Sequence, residues 1–273
     1  MTQGALFDAL GTLHAPVAGT SARIVSLVPS ITELVCDLGL APLLVGRTGF
    51  CIHPSALIGD IPKIGGTKDV NIDKIRKLAP THLIVNIDEN EKPTVDRLAE
   101  FIPHVIVTHP VRPEDNPALY TLLGGIFNVQ QRAQQLSTEF QLALQGLQAR
   151  RPSQPPQTVL YCIWKDPWMT VSCDTYIANM LDLIGWKTWQ VPASDKRYPV
   201  FEWHDALLHG VDMVLLSSEP YRFTEEHVDA LERQIGKPVC LVDGELISWY
   251  GSRAIRGLHY LKELADGTSD WSA

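Results

Sequence analysis

The sequence predicts an α/β protein built from two Rossmann-like lobes with parallel sheets, joined by a single long backbone helix. Three observations predict this. Short β-branched runs alternate with amphipathic helical stretches, the pattern of parallel βαβ units. The alternation runs through two separate series, one before residue 127 and one after residue 152. Between them lies the longest helical stretch, Asn128 to Arg151. The expected boundaries are an N-terminal arm over 1–22, an N-terminal lobe over 23–127, the connecting helix over 128–151 and a C-terminal lobe over 152–273.

The N-terminal series opens at Arg23–Leu27, a short apolar run read as a buried strand. Val28-Pro29-Ser30 ends it, and a helix follows through Ile31, Leu34, Val35 and Leu38 to a C-capping Gly39. A second strand is expected over Leu43–Gly46, with Arg47–Pro54 as the loop after it. Ile64–Lys68 reads as a short segment and turn, Asn71–Leu78 as a helix stopped by Pro80, and Thr81–Val85 as a strand. A polar loop over Asn86–Lys92 leads to a helix through Val95 and Leu98, then a strand at Val105–Val107 and a helix from Pro117 to Phe127.

For the connecting helix, Asn128 is expected as N-cap, with Gln131 completing a capping box. Ala133, Leu136, Phe140, Ala143, Leu144 and Leu147 form one apolar stripe at helical spacing. Arg150 and Arg151 place positive charge at the negative end of the dipole, and Pro152 with Pro155-Pro156 stops the helix. About 22 residues at 1.5 Å each span roughly 33 Å, the length of a domain.

In the C-terminal series, Thr158–Ile163 is a strand and Trp164–Cys173 a loop of large side chains. Helices are expected over Tyr176–Ile184 and Trp203–Leu208, a strand over Val211–Leu216, a loop over Ser217–Phe223 and a helix over Thr224–Ile235. Val239–Val242 is the last strand, Asp243–Gly251 a loop and Ser252–Leu264 the closing helix.

Composition narrows the function. A net charge of −8 with no basic block argues against a nucleic-acid partner, because phosphate binding needs clustered Lys and Arg. No apolar run reaches the 18 or so residues of a membrane span, so no membrane insertion is expected. Five cysteines without a CxxC fit reduced thiols better than a disulfide framework. GxSxG, Walker A, HExxH and GxGxxG are absent, so no enzyme is expected.

Ligands of open α/β sheets bind beyond the carboxyl ends of the strands. The stretches there are Pro29-Ser30, Arg47–His53 with Phe50, Asn86–Asn90, Trp164–Met169, Ser217–Tyr221 and Ser248–Arg253. Trp164, Trp168, Tyr221, Trp249 and Tyr250 read either as stacking walls of a cleft or as core, whereas Trp186, Trp189 and Trp203 read as packing. Arg47, Lys68, Lys165 and Arg253 are cations for a ligand's acid groups, or partners of Glu219, Asp243 and Glu245. Glu219 reads as an acceptor for a ligand amide or as a cap of the helix beginning at Thr224. Cys51 and His53 form a C-x-H pair, either metal ligands or pocket lining, with His53 also able to serve as an axial ligand to cobalt. A third ligand would come from His109, Cys173 or Glu219. A Cys51 nucleophile with His53 or His109 as base is the rival enzyme reading.

The stretches RIVSLVPSITELVCDLGL and GGTKDVNIDKIRKLAPTHLIV, followed by the long helix, resemble the class III substrate-binding proteins. These are the helical-backbone metal receptors, typified by periplasmic cobalamin-binding and ferric-siderophore-binding proteins of ABC importers. The resemblance runs from Arg23 to Leu264 and rests on SxxPSxTE, GGxxxxxxxxIxxLxPxxxI and the helix in that order. It implies a ligand held between the lobes and little hinge motion. It implies that Pro29-Ser30, Trp164–Trp168 and Ser248-Trp249-Tyr250 line the site. It also implies one exposed permease-docking glutamate per lobe, with Glu91 and Glu225 or Glu226 as the nearest matches.

The stretches RTGFCIHP, LLSSEPYRF and VDGELISWYGSR are similar to a sub-group often found without export signals. The N-terminus shows neither the early positive charge nor the apolar core of a secretory signal, so a cytoplasmic location is expected, with a periplasmic one the alternative for a processed chain. The expected function is non-catalytic binding of a metal chelate by a monomer, with a corrinoid such as cobalamin first and a ferric siderophore or haem as rival. No intrinsic cofactor is expected, and an ABC permease is the expected protein partner.

Overall fold

The structure, a computed structural model, describes residues 5–19, 22–149 and 155–267. The chain forms two compact units. The first comprises Met1–Pro110, Glu114–Phe140 and Tyr250–Arg253; the second comprises Val111–Pro113, Gln141–Trp249 and Ala254–Ala273.

The first unit holds a four-stranded parallel sheet of β3 (Ile24–Ser26), β4 (Leu44–Arg47), β5 (His82–Asn86) and β6 (His104–Thr108), in the order β4-β3-β5-β6. Its helices are α1 (Pro29–Asp37), α2 (Ser55–Ile58), α3 (Ile72–Lys77), α4 (Lys92–Ala99) and α5 (Asn116–Ile126). Every residue of β3 and β5 is buried, as befits central strands covered on both faces. Val25, Leu27, Ile64, Ile75, Leu83, Val85 and Leu98 make the core of this unit. Asn71 caps α3 by accepting the Lys74 N–H at 2.8 Å.

Residues 5–19 are no loose arm. Strands β1 (Leu6–Phe7) and β2 (Leu13–His14) pair as a hairpin. Asp8 anchors it, accepting from the Leu10, Thr12 and Val107 N–H groups, while Ala9 N–H donates to Val107 O at 2.9 Å. The strands are two residues each, below the length at which alternation can be read.

Helix α6 (Gln130–Gln148) carries the chain from the first unit to the second, with the change of unit after Phe140. All six residues of the expected apolar stripe are buried. Its start differs from expectation. Asn128 has φ +58°, and its amide donates to Val17 O at 2.7 Å. Val129 N–H returns to Gly124 O at 2.8 Å, so Asn128 closes α5 rather than capping α6. Gly124 is required there, because a Cβ would fall 2.4 Å from that of Ala133. Arg150, Arg151 and Pro152 lie outside the described residues.

The second unit repeats the plan. Strands β7 (Gln157–Cys162), β8 (Trp186–Thr188), β9 (Met213–Ser217) and β10 (Val239–Val242) are parallel in the order β10-β9-β7-β8. Numbered within its own unit, each sheet reads second, first, third, fourth strand. The helices are α7 (Tyr176–Asp182), α8 (Asp205–Gly210), α9 (Glu225–Ile235), α10 (Gly244–Ser248) and α11 (Arg253–Asp266). Strand β8 and helices α2 and α10 are too short to show a period in the sequence. Helix α8 begins at Asp205 rather than Trp203, because His204 caps it through Nδ1 to the Leu207 N–H at 3.1 Å.

Candidate functional site

In a sheet of this order the first and third strands are neighbours whose connections leave in opposite directions, and the crevice beyond their carboxyl ends is the expected ligand site. That point is β3/β5 in the first unit and β7/β9 in the second. The residues singled out from the sequence fall into three groups around these two points.

In the first unit, Pro29 and Ser30 are not loop but the first two residues of α1. Ser30 is buried, and its hydroxyl has no hydrogen-bond partner. Behind it, the Thr32 hydroxyl lies 2.9 Å from both Ser26 Oγ and Val28 O and 3.0 Å from Cys51 Sγ, and Thr48 Oγ1 lies 3.1 Å from the same sulfur. Cys51 is fully buried, and burial pushes its thiol up, although the Thr32 and Thr48 hydroxyls oppose the shift. A buried, protonated thiol is neither a nucleophile nor a ready metal ligand, so the expectations for Cys51 are corrected. Among the described residues no group of three or more His, Cys, Asp or Glu is placed to hold a metal ion, so His53 gains no companions for that role.

Arg47 is corrected as well. It is buried, with Nε donating to Ile58 O at 2.9 Å and Nη1 to Cys51 O at 2.7 Å, and it clamps the loop after β4. That clamp leaves Phe50 and Ile52 as large exposed apolar side chains, with Phe50 beside Gly66. Lys68 is exposed on the neighbouring turn. After β5, Asn90 accepts the Asn86 N–H at 2.9 Å and donates to Thr67 O at 2.9 Å, which folds the loop back and exposes Ile87. Asp88 lies 3.4 Å from His109 Nε2.

The segment Ser248–Arg253 passes from the second unit to the first. In the second, Ser248 Oγ and Trp249 Nε1 both donate to Glu219 Oε1 at 2.7 Å. Burial raises the Glu219 pKa, and these two donors partly offset it. Glu219 is therefore a brace between the loop after β9 and α10, not a cap of α9, which begins behind Thr224 with its N–H on His227 Nδ1 at 3.1 Å. In the first unit, the Tyr250 hydroxyl donates to Glu89 at 2.6 Å, and Gly251 N–H to Asn116 Oδ1 at 2.6 Å. Arg253 makes a two-pronged ion pair with Glu33 at 2.6 and 2.8 Å. Trp249, Tyr250 and Arg253 are all buried, so the aromatic-wall and ligand-cation readings give way to bracing. Glu33 and Glu89, the acids that hold this segment, were missed. Glu33 closes the SxxPSxTE motif, and that position was its only signal.

In the second unit, Trp164 is 40% exposed and meets Tyr221 edge-on, with ring centroids 5.5 Å apart. These two stand beyond β7 and β9 respectively. Trp168 is half-buried, stacked on Phe223 at 5.8 Å and edge-on to Trp203 at 5.3 Å, and it packs on the same core as Tyr221. The Trp164–Met169 bridge and Thr170 Oγ1 to Tyr161 O, at 2.8 Å, fix the loop that presents Trp164.

The chain matches the model of the family described as periplasmic binding protein over residues 24–233, and it belongs to that family, in its class III, helical-backbone form. The periplasmic vitamin B12 binding protein BtuF of Vibrio cholerae superposes with a TM-score of 0.76 at 18% identity, covering 91% of this chain and 98% of that one. A periplasmic heme binding protein from Pseudomonas aeruginosa gives 0.75 at 21%, covering 91% and 94%. The periplasmic heme binding protein HutB of Vibrio cholerae gives 0.69 at 23%, covering 89% and 98%. No curated protein sequence matches the chain. The expectation of a cytoplasmic location is overturned by these findings, since the family and these structural relatives are periplasmic. That expectation had rested only on the look of the first residues.

Proposed function

We propose that this protein binds a metal chelate of the tetrapyrrole kind, a corrinoid or haem, as the substrate-binding component of an ABC importer. The observation that carries the reading is the aromatic pair of exposed Trp164 and half-buried Tyr221 at the switch point of the second unit. A wide, flat, largely apolar ligand needs such a surface, and the first unit, taken by itself, exposes Phe50, Ile52 and Ile87 beyond its own strands. The structural relatives named above support the ligand class. Docking to a permease is supported by the exposed Glu91 at the start of α4 and Glu225 and Glu226 in the first turn of α9. Both helices follow the third strand of their own sheet, so these acids occupy equivalent positions.

The test is an absorbance titration with hemin, cyanocobalamin and a ferric siderophore, on the wild-type protein and on Trp164→Ala with Tyr221→Ala. One tetrapyrrole is expected to saturate the wild-type protein. The double variant should bind it roughly 30-fold more weakly, at about 1 kcal/mol for each ring lost. Saturation by the siderophore alone, or a double variant indistinguishable from wild type, would overturn the reading.

A further inference from the structure

We propose that the N-terminus of α1 is a carboxylate-binding subsite, in which an acid group of the ligand accepts hydrogen bonds from the Ser30 and Ile31 N–H groups and the Ser30 hydroxyl. This rests on the reading of the protein as a chelate binder. Helix α1 is nine residues long, and its N-cap is Val28, which offers no side-chain acceptor. Pro29, at the first helical position, has no N–H. The first N–H to find a helical acceptor is that of Thr32, on Val28 O at 2.9 Å. The Ser30 and Ile31 N–H groups precede it and have no helical partner, nor any other acceptor among the described residues. In α3, α7 and α10 a side chain fills this role, from Asn71, Thr175 and Asp243, whereas α2, α4 and α5 share with α1 the lack of one.

An exposed helix start can leave such donors to water, but this one is buried. Ser30 is 3% exposed, and Val28 and Ile31 are fully buried. The Ser30 hydroxyl is an independent sign, since it too is buried and without a partner. Buried donors without acceptors are rare in folded proteins, and three in one helical turn call for an acceptor oxygen that the described residues do not supply. The position is also the one at which α/β sheets receive anions, a helix start directly beyond the first strand at the switch point.

Charge permits the assignment. The first turn of α1 contains no acid. Glu33, one turn on, is matched by Arg253, and Glu89 accepts from Tyr250. Arg47 and Arg253, the arginines expected to meet a ligand's acids, are engaged with Ile58, Cys51 and Glu33. The subsite therefore favours a tetrapyrrole with free carboxylates, as in haem, over one whose periphery is amidated, as in cobalamin.

Three measurements test this: amide shifts of Ser30 and Ile31 on titration with acetate against chloride at constant ionic strength, and the affinities of hemin and hemin dimethyl ester, each also on Ser30→Ala and Ser30→Asp. Saturable acetate shifts at both amides are expected, with hemin about tenfold tighter than its ester. Ser30→Ala should reduce that preference and Ser30→Asp, which supplies its own carboxylate, should abolish it while the circular dichroism stays native. Acetate shifts without binding of either tetrapyrrole would uphold the subsite and sink the chelate reading. Equal binding of acid and ester without acetate shifts would overturn the subsite alone, as would an acid preference that Ser30→Asp leaves intact. Silence in every arm would overturn both.

Discussion

His82 begins β5 with its ring stacked on that of His104, centroids 4.7 Å apart, and its Nδ1 2.8 Å from Thr81 Oγ1. Burial, then the neighbouring His104 and His14, lowers its pKa to about 4. The unfolded chain takes up this proton as pH falls below about 6.5, whereas the folded chain resists it until about pH 4. The stabilisation is thus complete above pH 6.5 and lost as pH falls toward 4. With a discount for solvent screening, about 1–2 kcal/mol is at stake. Urea unfolding at pH 7 and pH 5 should show this loss in the wild-type protein and a smaller one in His82→Gln. Equal losses in both would refute the assignment. Nothing in the sequence marked His82, because its ring partners, His104 and Phe127, come from register pairing with β6 and from the end of α5. The positions of Trp164 and Tyr221, by contrast, were legible as strand ends, since each follows a recognisable strand by a few residues.

Among the elements, α1 is held at both ends of its sequence neighbourhood by residues far along the chain. Its Glu33 pairs with Arg253, and Gly251 packs on its first turn, where a Cβ would lie 3.2 Å from Leu34 Cβ and 3.3 Å from Ser30 O. Gly251 also has φ +84°, so no other residue suits the position. The Glu33–Arg253 pair is mostly buried, and removing one partner strands the other's charge. Arg253→Met should cost about 3 kcal/mol in denaturant unfolding, and adding Glu33→Gln should restore much of it. A double variant as unstable as the sum of the singles would show that the pair is not coupled. The sequence could not reveal this tie. Cation and acid are 220 positions apart, and Arg253 follows two aromatics in a loop, which is also how a ligand-binding arginine looks. The helix joining the units was legible for the opposite reason. Its stripe recurs over about four turns, whereas its expected cap, Asn128, differs because Asn serves equally well to begin one helix and to close another.

At the scale of the molecule, two sheets of the same strand order recur in one chain. The alternation of strands and helices foretold two parallel sheets, but not their order, because order depends on which side of the first strand each crossover returns to. Once the order is known, the switch points follow, and with them the separation of the singled-out residues into ligand-facing and bracing sets that we propose. Trp164, Tyr221 and Ser30 stay beside the switch points and Phe50 on the loop after β4, while Arg47, Glu219, Trp249, Tyr250 and Arg253 hold loops in place. Amide hydrogen exchange with and without added hemin or cyanocobalamin tests that division most directly. Slowed amides are expected at 27–31 and 86–90 in the first unit and at 163–168 and 217–221 in the second. Slowing confined to the amino ends of the strands, or to the hairpin over 6–14, would contradict it.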